Sequence, residues 1–121
     1  MKPKILVVED NADNLETLVA YLEFSGYKTI QASDGETALD KVESENPEVV
    51  FLDLSIPKID GWEVAKRIRA NEKIKKIIII AFSAMALPQE MERAIQCGCD
   101  TFIAKPMPPE TLIEEMNKLL K

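Results

Sequence analysis

Short, nearly unbroken apolar runs recur along the chain: KILVV (Lys4–Val8), EVVFL (Glu48–Leu52), KIIIIAF (Lys76–Phe82) and TFIA (Thr101–Ala104). Each is followed by a segment whose apolar residues return at helical spacing, which predicts strand-helix units. After the first run, Leu15, Leu18, Val19 and Leu22 line one side of a helix that Gly26 stops. A shorter strand near Lys28–Gln31 leads into a helix with Asp34 as its cap, Ala38, Leu39 and Val42 facing inward, and Asn46-Pro47 beyond its end. Asp60 and Glu63 have the spacing of a capping box, opening a helix that carries Val64, Ala65 and Ile68. The fourth run precedes a helix with Pro88 near its first turn, Met91, Ala94 and Ile95 on one face, and Gly98 past its end. The last helix, from about Pro109, carries Leu112, Ile113, Met116, Leu119 and Leu120.

Strands that are apolar on both sides, alternating with helices, predict a parallel sheet covered on both faces. The expected fold is an open, doubly wound α/β domain over residues 1–121, a (βα)5 arrangement with a five-stranded parallel sheet in strand order 2-1-3-4-5. The roughly 20–25-residue rhythm is that of βα units and not of a solenoid repeat.

Composition narrows the function. At 121 residues, with 46% hydrophobic and 30% charged, the chain has room for one domain with a real core. A formal net charge of −6 opposes attraction to polyanions, so direct nucleic acid binding is not expected. The longest apolar run, Ile77–Phe82, is far too short for membrane insertion, and the amino terminus meets Glu9 and Asp10 before any signal-peptide core can form. The expected setting is cytoplasmic. Cys97 and Cys99 are the only cysteines and there is no histidine. That excludes a disulfide framework, a four-ligand zinc site, Ser-His-Asp or Cys-His catalysis and a phosphohistidine on this chain, and leaves the thiols as packed, inert groups.

The polar residues just beyond the strands carry the remaining signal: Glu9 and Asp10 after the first, Asp53 after the third, Ser83 after the fourth, Lys105 after the fifth. In this topology they share the carboxyl edge of the sheet, where ligands bind at the reversal of strand order. Taken singly, each has an ordinary use as a loop start, helix cap, turn residue or surface lysine. Taken together, three carboxylates would repel one another, so a bound cation is the economical explanation, and an all-oxygen set suits Mg²⁺. Asp53, the deepest, has the chemistry of a nucleophile toward phosphorus. Lys105 supplies a compact positive charge and Ser83 a hydroxyl donor.

Four pieces in order, VEDN (Val8–Asn11), DLSIPKIDG (Asp53–Gly61), FSA (Phe82–Ala84) and KP (Lys105–Pro106), resemble the response-regulator receiver domain of two-component signalling, over essentially the whole chain. The resemblance implies a flavodoxin-like fold, Glu9 and Asp10 as the acidic Mg²⁺ pair, Asp53 as phosphoacceptor and metal ligand, and the backbone carbonyl of Ser55 as a further ligand. It implies Ser83 as the switch hydroxyl, where threonine is commoner. Phe102 is the implied switch aromatic, where tyrosine is frequent and turns inward on phosphorylation. Lys105 is the implied phosphate-contacting lysine, joined to Pro106 by a cis peptide. The phosphoryl donor is then a partner histidine kinase, a histidine phosphotransfer protein or a small acyl phosphate. Such a domain promotes its own aspartyl phosphorylation and dephosphorylation, yet is a signalling protein and not an enzyme. Ser55 and Met85 would flank the path of the water that removes the phosphate.

The chain stops directly after the fifth helix, which suggests a stand-alone regulator or an excised receiver. FSAMAL (Phe82–Leu87) and CGCDTFIAKP (Cys97–Pro106) are similar to single-domain cell-division regulators. Output is then binding to a downstream protein, expected through the fourth helix, fifth strand and fifth helix, with Met85, Leu87, Met91 and Met107 near the switch residues. Two rival chemistries fit less well. A haloacid-dehalogenase-like phosphotransferase needs a D-x-D pair after the first strand, where Asp10 has Ala12 two residues on. A flavodoxin-like FMN carrier needs a hydroxyl- and glycine-rich loop where EDNAD (Glu9–Asp13) would repel phosphate.

Overall fold

Lys4–Val8 (β1) and Val49–Asp53 (β3) are apolar on both sides, and they take the interior of the sheet, where only such strands can be accommodated. The computed structural model, which describes residues 2–84 and 87–120, adds Lys28–Ala32 (β2), Ile78–Ser83 (β4) and Thr101–Ala104 (β5) to give one parallel sheet in the order β2-β1-β3-β4-β5. Helices Ala12–Phe24 (α1), Gly35–Glu45 (α2), Gly61–Ala70 (α3), Pro88–Gln96 (α4) and Pro109–Leu120 (α5) alternate with the strands. The doubly wound fold and its strand order are as expected.

Side chains alternate across each strand, so the sheet divides the core in two. Ile5, Val7, Phe51 and Phe82 pack with Leu18 and Leu22 of α1 and Leu112 and Met116 of α5. Leu6, Val8, Val50, Leu52 and Ile79 pack on the other side with α2, α3 and Ala94 of α4. Leu112 and Met116 are fully buried, each contributing roughly 1.5–3 kcal/mol. Cys97 and Cys99 are buried in the second cluster as free thiols, and burial pushes the Cys99 thiol up to about 12.

The helix ends follow local chemistry. Asn11 caps α1, its Oδ1 accepting the Asn14 N–H at 3.0 Å; Asp34 caps α2 through Thr37 and Asp60 caps α3 through Glu63. The second half of the expected box at α3 is absent, because the Glu63 carboxylate accepts from Arg67 instead. Gly26 ends α1 at φ +96°, a left-handed conformation in which a side chain is strained. At the far end of the sheet Arg69, in the last turn of α3, donates to the carbonyls of Lys75, Ile77 and Gly98 and to Asp100 Oδ2, which also accepts the Ile79 N–H. One guanidinium thus joins α3, the entry to β4 and the turn before β5.

Several boundaries differ from the pattern. β3 runs one residue further and includes Asp53, which pairs with Phe82 of β4. β4 starts at Ile78, because Ile74 and Ile77 are buried from a turn segment and not from a strand. On α4 only Ala94 is buried, while Met91 and Ile95, expected to share its face, are 40% and 52% exposed. Leu119 and Leu120 also point outward at the end of α5. None of the helices among the described residues is long and apolar enough to cross a membrane.

Candidate functional site

The carboxyl edge of the sheet gathers the charged residues. Glu9 follows β1 directly, its N–H bonded to the Ala32 carbonyl at 3.0 Å. Its backbone continues the sheet, and this carries its side chain into the protein, where only 3% of it is exposed. Asp53 ends β3, equally buried, and Leu54 continues toward β4 by donating to the Phe82 carbonyl at 3.1 Å. Ser83 ends β4 with 2% exposure, and its carbonyl accepts the Lys105 N–H at 2.9 Å. That bond brings the residue after β5 back over the sheet edge.

Lys105 Nζ lies 2.9 Å from Asp53 Oδ2 and 2.9 Å from Glu9 Oε1. The free edges of both carboxylates are held by the backbone: Asp53 Oδ1 accepts the Ser55 N–H at 2.9 Å and Glu9 Oε2 accepts the Asn11 N–H at 3.2 Å. The ammonium also sits 5.2 Å from the centre of the Phe82 ring. Burial raises the Glu9 pKa, and contact with Asp53 adds to the rise against the pull of Lys105 and the Asn11 N–H. Burial alone would lower the Lys105 pKa, but its hydrogen bonds to Asp53 and Glu9 outweigh this and the net shift is upward. The lysine therefore stays charged.

Asp10 is exposed, yet one carboxylate oxygen each from Glu9, Asp10 and Asp53 lie within 4.8 Å of one another. Three carboxylates against one ammonium leave two formal negative charges, and the donors are all oxygen. Both properties fit a small, hard divalent cation. Ser55 is exposed on the loop beyond Asp53. The Lys105–Pro106 peptide is cis. Phe102, opposite Ala81 across the β4–β5 pair, is already packed inward at 9% exposure among the residues of the α2–α4 side. Met85 lies outside the described residues. Met107, expected on a partner surface, is partly buried against the α1–α5 cluster.

All of the residues singled out at the strand ends thus meet at one edge. The bond from Lys105 to Glu9 had no signal in the sequence, since nothing in a linear sequence tells how far an acid after a strand turns inward. The same holds for Gly35, the first residue of α2, which lies against the loop after β3.

The geometry agrees with the comparisons. The family model of the response regulator receiver domain matches residues 5–117. The chain is 33% identical over 120 residues to the polar-differentiation response regulator DivK of Brucella ovis, covering 99% of this chain and 98% of that protein. Among solved structures, the chemotaxis response regulator CheY4 of Vibrio cholerae aligns with a TM-score of 0.91 at 25% identity, covering 98% of this chain and 99% of that one. The receiver domain of the sensor histidine kinase PA1611 from Pseudomonas aeruginosa PAO1 has a magnesium ion coordinated in its active site cleft. It aligns with a TM-score of 0.88 at 30% identity, covering 98% of this chain and 97% of that one. A family match over nearly the whole length, a relative of nearly equal length and the same fold in solved receiver domains lead to one conclusion: this chain belongs to the response regulator receiver domain family of two-component signalling.

Proposed function

We propose that this protein is a phosphorylation-activated switch in which Asp53 accepts a phosphoryl group from a partner histidine kinase or histidine phosphotransfer protein, in a Mg²⁺-dependent reaction in the cytoplasm. The observation that carries the reading is the Asp53 carboxylate: 3% exposed, one oxygen fixed by the Ser55 N–H and the other by Lys105, beside two further acids. In the transfer an Asp53 oxygen forms a bond to phosphorus as the donor's phosphorus–nitrogen bond breaks, and the imidazole departs. Lys105, paired with Asp53 at rest, turns to a phosphoryl oxygen, and the Ser83 hydroxyl donates to another. Glu9, Asp10, Asp53 and the Ser55 backbone carbonyl would hold Mg²⁺, which when bound neutralises charge on the phosphoryl oxygens.

Signal output is altered protein binding. Ser83 moves toward the phosphate, and the inward position of Phe102 is the one favoured once it has moved; with no phenolic hydroxyl at 102 the coupling is steric. The output face is α4, β5 and α5, supported by Leu87, Met91 and Ile95, which are 49%, 40% and 52% exposed and spaced along one side of α4. The deciding experiment is incubation with acetyl phosphate and Mg²⁺ followed by intact mass spectrometry. Wild type gains one hydroxylamine-labile phosphate and Asp53→Asn gains none; single-site labelling of the Asn variant would overturn the assignment.

A further inference from the structure

We infer that Gly35, with Asp34 and Lys58, is a positioning element for cation binding at the acidic site; the inference rests on the cation reading above. The loop between β3 and α3 bears Ser55, and it is seated on the first residue of α2. The Gly35 N–H donates to the Pro57 carbonyl at 3.2 Å. A Cβ on Gly35 would lie 1.8 Å from the Ile59 carbonyl oxygen and 2.6 Å from its carbon. Ordinary carbon–oxygen contact is roughly 3.3 Å, so any side chain at 35 forces the loop and the helix apart by about 1.5 Å. Between Pro57 and Ile59, Lys58 has φ +69°, a conformation unfavourable for a residue with a side chain. Its ammonium lies 3.6 Å from Asp34 Oδ2. Asp34 Oδ1 meanwhile caps α2 through the Thr37 N–H at 2.7 Å. The loop is thus tied to Asp53 at one end, through the Ser55 N–H, and to the start of α2 at the other. Mg²⁺ demands a near-ideal octahedron, and displacing its surroundings by over an ångström is far outside what such a site tolerates.

Mg²⁺ titration followed by Trp62 fluorescence, with thermal stability measured separately without Mg²⁺, tests this. Gly35→Ala is expected to weaken Mg²⁺ binding at least about tenfold, the scale seen when groups behind a metal's ligands are removed. Asp34→Asn keeps the helix cap and loses the charge, and should weaken binding about two- to threefold. In a Lys58→Gly background, where the left-handed backbone needs no support, the same Asp34→Asn change should have no effect. Met116→Ala, on the opposite face of the sheet, should lower thermal stability and leave Mg²⁺ affinity unchanged. Wild-type affinity in Gly35→Ala, or an equal loss in Met116→Ala, would overturn the inference. Should Gly35→Ala not fold, an Asp34→Asn effect that persists in the Lys58→Gly background overturns it, and one that vanishes there supports it. A wild type that does not respond to Mg²⁺, or responds no differently from Asp10→Asn, overturns the cation reading itself and this inference with it.

Discussion

Replacing Lys105 by methionine keeps most of the side chain's length and removes its charge, leaving Glu9 and Asp53 facing each other with 3% of each side chain exposed. Two charge-assisted hydrogen bonds of 2.9 Å are lost, roughly 1.5–3 kcal/mol each by the general scale. Their full sum overstates the cost, because Lys105 is itself 23% exposed and water reaches the gap. Orphaning a buried charge costs about 3–5 kcal/mol; discounted for hydration, the expected loss is about 2–3 kcal/mol without Mg²⁺. Adding Glu9→Gln removes one of the two opposed carboxylates, so the double variant should be more stable than Lys105→Met alone by about 1 kcal/mol or more. Mg²⁺ at about ten times its dissociation constant should return about 1.4 kcal/mol to any variant that binds it. Urea denaturation with an unchanged slope reads all three quantities. A Lys105→Met penalty below about 0.5 kcal/mol, in the range of an exposed surface pair, or a double variant less stable than the single one, would refute the electrostatic account.

Arg69→Lys should cost about 2–3 kcal/mol in the same assay, because an ammonium cannot reach the carbonyls of Lys75, Ile77 and Gly98 and the Asp100 carboxylate together; a loss under about 0.5 kcal/mol would mean the clamp is dispensable. The Cys99 thiol, pushed up to about 12 by burial, should resist a thiol reagent in the folded protein and react on unfolding; rapid labelling without denaturant would contradict its placement. The Asp34 carboxyl is held below its ordinary pKa, chiefly by the Thr37 N–H. Its contribution to stability is therefore present above the unfolded aspartate pKa and lost as pH falls through the lower folded one, and NMR titration should find its midpoint below that of free aspartate. Met85→Glu, chosen on sequence position alone, should speed phosphate loss roughly tenfold and Met85→Ala less; decay at or below the wild-type rate after donor removal would separate Met85 from the attacking water.

The parallel sheet was legible because strands buried on both faces leave apolar runs that few other structures produce. Polarity misled at the ends. Asp53 looked like the residue that breaks β3, yet its backbone pairs with Phe82 while its carboxylate is neutralised from outside the strand. Ile77 looked like part of β4, but a turn can bury an isoleucine as well as a strand can. On α4 the helical spacing of Met91 and Ile95 indicated a face without saying whether protein or solvent covers it. Ser83, Lys105 and the three acids were found through topology, since every one ends or follows a strand. The Glu9–Lys105 bond and the seat of the β3–α3 loop on Gly35 depend on distances between segments remote in sequence, for which no local pattern exists.

The partition of the core by the sheet has a consequence for how such a chain diverges. Residues packed under α1 and α5 and those packed under α2, α3 and α4 form separate clusters, and substitutions without shared neighbours combine additively to within about 0.5 kcal/mol. A lineage can therefore remodel one side of the molecule to suit a new correspondent while the other side retains its inherited fit. The two sides are then free to change at different times, joined by the strands they share and by the charged residues at the sheet edge.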